Sequence, residues 1–368
     1  METLKTIPIA SPQIGDEERQ AVLEVLSSGQ LAQGPVVEAF EREFAAWCGV
    51  KHAVAVNSGT AALHLLMLAH GIKEGDEVIT SPFTFVSSAN AALFVGARPV
   101  FVDIEPETYC LDPAKVEAAI TPKTKAIMPI DLYGHPAAIN ELREIADRHG
   151  VVLIEDACQA HGAAIGERKT GALGVSASFS FYPTKNMTTA EGGMVTTDDG
   201  DIAAKVTMLR QHGASHRYHH DLLGYNFRLT DIAAAIGRAQ LAKLDRFNEK
   251  RRRNASVLDE GLAGISGVTT PRERRGYRHV YHQYTIRIEH DRDGFQQRLR
   301  EHGIGTAIHY QVPVHRQPLY QGLGYRDVSL PLSEAAAAQV LSLPVHPALT
   351  DEDLDRIVEA VRKVAAKA

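Results

Sequence analysis

Short apolar runs rich in valine and isoleucine alternate with helical patterns from about Glu17 to Leu244. His52–Asn57 reads as a strand and Thr60–Ala69 as a helix, then Glu77–Thr80 as a strand, Val86–Phe94 as a helix and Pro99–Ile104 as a strand. Lys125–Ile130, a helix over Ile139–His149 and a strand over Val151–Glu155 follow. Strands of continuous apolar character, separated by helices, predict a mostly parallel sheet covered on both faces. In such sheets ligands sit at the carboxyl ends of the strands.

The run from Asp231 to about Leu262 predicts one long helix, because Ile232, Ile236, Ala239, Leu244 and Phe247 recur at spacings of three to five near one stripe. Its far half is basic, with Arg251, Arg252 and Arg253. After Gly264 the texture changes to a strand (His282–Ile288), a helix (Gly294–Glu301), a strand (Gly305–Tyr310) and a loop with several prolines. A terminal helix begins at Thr350, with Asp353 completing a capping box and Leu354, Ile357, Val358, Val361 and Val364 as its buried face. The expected boundary lies near residue 245, inside or beside the long helix. It divides a large unit, 1–245, from a smaller α+β unit, 246–368.

Composition narrows the class. The chain has 368 residues, enough for two or three domains and a large core, and 44% are hydrophobic, which excludes disorder. Net charge is 39 − 45 = −6, so no basic field is present to hold nucleic acid or an anionic membrane. Cys48, Cys110 and Cys158 are too scattered for a disulfide framework or a CxxC metal site. Met1–Pro12 lacks a signal-peptide core, and no apolar run approaches the roughly 18 residues of a membrane span. A reduced, cytoplasmic protein is expected, without nucleic-acid or membrane partners. His212, His216, His219 and His220 have neither HExxH spacing nor a nearby thiolate pair, so they read as ordering a loop over the substrate and no metal is expected. Arg251–Arg253 and Arg272–Arg275 read as solvated faces.

Four local features carry candidate chemistry. Asn57-Ser58-Gly59-Thr60-Ala61-Ala62-Leu63 is a strand turning into an apolar helix, whose free N–H groups, with the Thr60 hydroxyl, suit a phosphate; an ordinary N-cap has the same look. Val151–Gln159 is a strand ending in Glu155 and Asp156, which alternation sends to opposite faces. A carboxylate there needs a cationic partner, solvent or a cationic ligand. Ser178–Asn186 runs through Tyr182-Pro183-Thr184 to Lys185, between two apparent core strands. Most lysines are solvated, but a partly buried one is the type that forms a Schiff base. Gly224–Asp231 is a loop before the long helix, with Thr230 or Asp231 as its N-cap. Taken together, these features supply a lysine for an aldehyde, donors for a phosphate and a carboxylate for a pyridinium nitrogen. Those are the requirements of pyridoxal 5′-phosphate (PLP).

Nearly the whole chain resembles the DegT/StrS family of PLP-dependent nucleotide-sugar aminotransferases. The resemblance rests on SGTAAL (58–63), SPFTFVSSAN (81–90), EDACQAHGA (155–163), SFYPTKNMTTAEGGMV (180–195) and GYNFRLTDIAAAIGRAQL (224–241), in this order. It implies the type I aspartate-aminotransferase-like fold, with a mostly parallel seven-stranded sheet in the large domain and a smaller α+β C-terminal domain. It further implies a homodimer with shared active sites. By the same resemblance Lys185 forms the internal aldimine and moves the proton, and Asp156 pairs with the ring nitrogen. Gln159 lies near the ring, and Phe85 stacks on it. Gly59, Thr60, Ala61 and Ser180 hold the phosphate. Asn226 and Arg228 reach it from the other subunit, and His309 and Tyr310 line the sugar pocket. One departure is Ala190, where the pattern often has glycine.

The implied reaction moves an amino group from L-glutamate to a nucleotide-linked keto-sugar, at the 4-position by the look of the Lys185–Gly193 segment, giving an amino-sugar nucleotide and 2-oxoglutarate. A 3-keto-sugar or cyclitol aminotransferase of the same family is the alternative, and a PLP-binding regulator without catalysis is a second. Family relatives that carry out dehydration replace the lysine by histidine, which Lys185 argues against. A dinucleotide-dependent dehydrogenase or epimerase would need a GxGxxG turn near the amino terminus, and none appears.

Overall fold

A computed structural model describes residues 6–366 of the chain. The first five residues of the segment Met1–Pro12, and the last two of the unit 246–368, lie outside the described residues.

A seven-stranded sheet forms the centre. Its strands are β1 (His52–Val56), β2 (Glu77–Thr80), β3 (Arg98–Phe101), β4 (Thr124–Met128), β5 (Val152–Asp156), β6 (Ser176–Ser180) and β7 (Gly193–Thr197). In space the order is β1-β7-β6-β5-β4-β2-β3. β7 alone runs against its neighbours, and every other pairing is parallel. Both faces are covered, as the apolar strands require. The helix Gly59–Ala69, buried on nearly every side, packs with Val54, Val78, Met128 and Ile154 on one face. Ile139–His149 and Pro331–Gln339 cover Ile79, Ile127 and Leu153 on the other.

The long helix spans Asp231–Leu262, capped by the Thr230 side chain, which accepts the Ala233 N–H. Its contact face differs from the expected stripe. Ala234, Gly237, Leu241 and Leu244 are buried, whereas Ile232, Ile236 and Ala239 are only half-buried. The reason is close approach: a Cβ on Gly237 would come within 2.8 Å of both Phe40 and Thr189, so small residues face the helix Pro35–Cys48. Arg251 is a second correction. It is buried, and its guanidinium donates to the carbonyls of Tyr281 and His282. Arg252 is half-buried and Arg253 exposed.

A three-stranded antiparallel sheet lies near the carboxyl end, made of β8 (Val268–Thr269), β9 (Tyr284–Ile288) and β10 (Val340–Leu343). The expected strand Gly305–Tyr310 does not form. Only single bridges join Ile304 to Ile7 and Ala307 to Ser342, while Ile308 and Tyr310 pack against the core on one face of the central sheet. The terminal helix Asp351–Ala365 begins with the Thr350–Asp353 capping box and buries Leu354, Ile357, Val361 and Val364 against β9 and β10. Ile7 joins this same core, so the start of the chain packs with its end. Residue 245 falls within the long helix, whose first half packs with Phe40 and Phe44 and whose second half packs with Tyr284 and Leu354. Among the described residues no helix is long and apolar enough to cross a membrane.

Candidate active site

A cavity of about 510 Å³ opens at the carboxyl ends of β1, β2, β5 and β6. Each wall follows from local sequence. In β6 alternation puts Phe179 into an aromatic cluster with Phe44, while Ser178 and Ser180 point the other way. Ser180 thereby lines the cavity. The turn after β1 brings Ser58, Gly59 and Thr60 to the cavity, and the Ser58 hydroxyl caps the helix by accepting the Ala61 N–H at 3.1 Å. A Cβ on Gly59 would lie 2.7 Å from that of Ser180 and 3.0 Å from the Cys158 sulfur, so only glycine lets these walls meet. The helix Ser87–Phe94 also starts at the cavity, and Ser87 Oγ lies 2.9 Å from Thr60 Oγ1. Two helix N-termini and two hydroxyls therefore converge on one side of the space, an arrangement that suits a phosphate.

Asp156 and Glu155 point apart, as strand alternation demands. Glu155 is fully buried, and its carboxylate accepts N–H groups from Gly171, Leu173 and Gly174. Asp156 lines the cavity; Oδ2 accepts the Ser88 hydroxyl at 2.7 Å and Oδ1 the Cys158 N–H at 3.2 Å. Among the described residues none forms a direct ion pair with this buried carboxylate, and the cation that acts on it is the Lys185 amine of the same cavity. Lys185 lines the same cavity and is half-buried, on the loop between β6 and β7. Burial holds its amine below the ordinary lysine value, against the opposing pull of Cys158 and Asp156.

Gln159 is fixed at both ends. Its Oε1 accepts the Tyr133 N–H at 3.0 Å and its Nε2 donates to the Tyr310 hydroxyl at 3.0 Å. Phe85 is 57% exposed at the rim, with Tyr310 tilted beside it at 6.3 Å, so one ring face remains open to a ligand. His309 and Tyr310 line the opposite wall, and His309 Nδ1 lies 3.0 Å from Ser342 Oγ. Burial and the nearby Lys185 push His309 down to about 4, so its imidazole is neutral at pH 7.

Of the expected site residues, Gly59, Thr60, Phe85, Asp156, Gln159, Ser180, Lys185, His309 and Tyr310 line this one cavity. Ala61, Asn226 and Arg228 do not. Ala61 sits behind Thr60 with its N–H held by Ser58. Asn226 is exposed and Arg228 half-buried, on the segment that bridges to Gln211 and Val56. Sequence reasoning missed Thr84, Ser87, Ser88, Glu191 and His282 as lining residues. The hydroxyls stand in the quoted SPFTFVSSAN, where the need of a buried carboxylate for donors was a usable signal. Ala190 adopts φ 69°, a left-handed backbone that glycine tolerates better, at a cost of about 1–2 kcal/mol beside the cavity residue Glu191. The histidines 216, 219 and 220 lie on an exposed hairpin, and among the described residues no group of three or more His, Cys, Asp or Glu could hold a metal.

His161 gives a pH prediction. It is fully buried against Phe179 and Phe181 with neither ring nitrogen hydrogen-bonded, and burial followed by Lys185 lowers it to about 3. Its folded-state value lies below the ordinary 6.5, so its contribution to stability is intact above pH 6.5 and is lost as pH falls. Between pH 7 and 5 the native chain should lose about 2 kcal/mol more stability than His161→Leu. Urea unfolding of both proteins at both pH values measures it. Equal losses would mean that His161 protonates freely in the folded state.

The comparisons with known proteins agree with this geometry. The profile of the DegT/DnrJ/EryC1/StrS aminotransferase family matches residues 12–362. The dTDP-3-amino-3,4,6-trideoxy-α-D-glucose transaminase of Streptomyces venezuelae is 44% identical over 95% of this chain and 94% of its own. The GDP-perosamine synthase of Caulobacter vibrioides is 42% identical over 99% of this chain and 100% of its own. The sugar aminotransferase Spr1654 of Streptococcus pneumoniae, solved in a PLP form, superposes with a TM-score of 0.94 at 29% identity, covering 98% of this chain and 99% of that one. With a shared profile over nearly its full length and the same overall architecture, the chain belongs to the DegT/DnrJ/EryC1/StrS aminotransferase family.

Proposed function

We propose that the cavity holds PLP and that the protein transfers an amino group from L-glutamate to a nucleotide-linked keto-sugar, releasing 2-oxoglutarate. The coarser statement follows from membership: the chain is a PLP-dependent sugar aminotransferase. The observation that carries the finer reading is the pairing, in one cavity, of a buried carboxylate without a direct ion-pair partner (Asp156) and a half-buried lysine (Lys185). The residues fit the cofactor. Thr60 and Ser180, with the backbone of Gly59, bind its phosphate. Asp156 holds the proton of its ring nitrogen. Phe85 covers one ring face, and Gln159 is positioned beside it. Bound PLP supplies an electron sink for the carbon that bears the transferred nitrogen. Lys185 anchors the cofactor and then takes and returns the proton at that carbon. His309 and Tyr310 bound the sugar side.

A second copy completes the site in this reading. Among the described residues the cavity has one cation of its own, Lys185, while a nucleotide diphosphate and an amino-acid carboxylate both require cations. Asn226 and Arg228 lie outside their own chain's cavity and are proposed to enter that of a partner in a homodimer. The division into a cofactor-binding unit (1–245) and a smaller unit (246–368) belongs to the same proposal, as does a cytoplasmic location.

The amination position is proposed as C4, from the Lys185–Gly193 segment. C3 is the second reading, favoured by the name of the Streptomyces relative. The test incubates the purified protein with PLP, L-glutamate and a panel of nucleotide-linked 3-keto- and 4-keto-sugars, and reads 2-oxoglutarate and amino-sugar by mass. Turnover of 4-keto-sugars alone is expected. Turnover of 3-keto-sugars alone moves the assignment to C3, and firm PLP binding with no turnover leaves the regulator.

A further inference from the structure

We propose that Ser88, backed by Thr84, is a positioning residue that fixes the Asp156 carboxylate toward the ring nitrogen of the cofactor. This rests on the PLP reading above. Ser88 is 2% exposed, in the first turn of the helix Ser87–Phe94, and lines the cavity with Thr84. A carboxylate accepts only, so the single hydroxyl proton of Ser88 goes to Asp156 Oδ2 at 2.7 Å. That leaves Ser88 Oγ as the acceptor in its 3.1 Å contact with Thr84 Oγ1, so Thr84 donates. The result is a directed chain, Thr84 to Ser88 to Asp156.

The geometry explains why a hydroxyl is needed there. The Cys158 N–H reaches Oδ1 from the chain just beyond β5. With that contact alone the carboxylate can turn about its terminal torsion, which is broad and soft. A second donor on Oδ2, from a helix on the other side, fixes the carboxylate plane and leaves the remaining lone pairs toward the cavity. A short O–H···O⁻ bond is also roughly twice as strong as a neutral one. Ser87, one residue earlier, turns instead to Thr60 on the phosphate side. Adjacent serines thus serve the two ends of one ligand.

The test measures PLP retention by equilibrium dialysis and the ¹⁵N resonance of the ring nitrogen in bound ¹⁵N-labelled PLP. Ser88→Ala is expected to weaken retention about tenfold and to move the resonance toward unprotonated pyridine. Thr84→Val, which keeps the Ser88 hydroxyl but removes its donor, should shift the resonance the same way by less. Ser87→Ala should weaken retention and leave the resonance in place, which a general packing role for the helix would not produce. A wild-type resonance and affinity in Ser88→Ala overturns the proposal, and so, should that variant fail to fold, does a wild-type resonance in Thr84→Val. Asp156→Asn separates the two levels. If it moves the resonance and the Ser88 and Thr84 variants do not, only this proposal fails. If Asp156→Asn leaves it in place, the reading of Asp156 beneath it fails.

Discussion

Lys185→Ala is expected to slow amino transfer by at least about 10⁴-fold and to leave the fold intact. In the proposed mechanism the residue carries two tasks, and general acid–base work alone contributes about 10²–10⁴, with nucleophilic anchoring in addition. Lys185→Arg separates charge from proton mobility. A guanidinium keeps the positive charge but does not deprotonate in proteins, so this variant should be as slow as the alanine. The lysine amine can act because burial lowers its affinity for the proton. Removing a desolvated ammonium costs the fold little, and the melting temperature of the cofactor-free protein should move by no more than about 2 °C. The native protein should show a visible absorbance band that borohydride fixes onto Lys185, and the alanine variant none that can be fixed. Turnover at a normal rate in Lys185→Ala would remove the lysine from the mechanism.

The sequence carried the strong periodicities and lost the packing detail. The long helix was readable to its first residue, because Thr230 is a strong cap, and the strands from His52 to Asp156 were readable because both faces are apolar. The Gly305–Tyr310 segment misled because local alternation cannot tell a strand from a wall that crosses between two sheets with single bridges. Arg251 misled because a run of three arginines looks solvated, while the fold buries one of them beneath the carbonyls that precede Gln283. The Ile232–Ile236 stripe misled because helix contact here is set by small residues, which hydrophobic periodicity ignores. In the site, Lys185, Asp156 and the Ser58–Thr60 turn, which the fold brings to one cavity, were legible by residue type. Thr84, Ser87 and Ser88 were not singled out, since a hydroxyl acquires meaning only from the group it faces.

Asp156→Asn tests the carboxylate by setting stability against function. The substitution keeps the size and removes the negative charge. Asp156 is 4% exposed, and breaking a buried charge pair costs about 3–5 kcal/mol. At about 1.4 kcal/mol per tenfold, amino transfer should fall by roughly 10²-fold to several thousandfold. Without the cofactor the same carboxylate has hydroxyl and N–H donors but no direct ion-pair partner, only the Lys185 amine elsewhere in the cavity, so neutralising it relieves a buried charge that is poorly compensated. The cofactor-free variant should therefore melt at the native temperature or above it, while the cofactor raises its melting temperature less than it raises that of the native protein. A residue held for the fold moves the opposite way. Glu155, one position earlier, gives its carboxylate to three backbone N–H groups of the loop at 171–174 and presents no charge to the cavity. Thermal melts of both forms, with and without PLP, decide between the two kinds of carboxylate. A loss of stability in the cofactor-free variant together with unchanged turnover would put Asp156 in the same class as its neighbour.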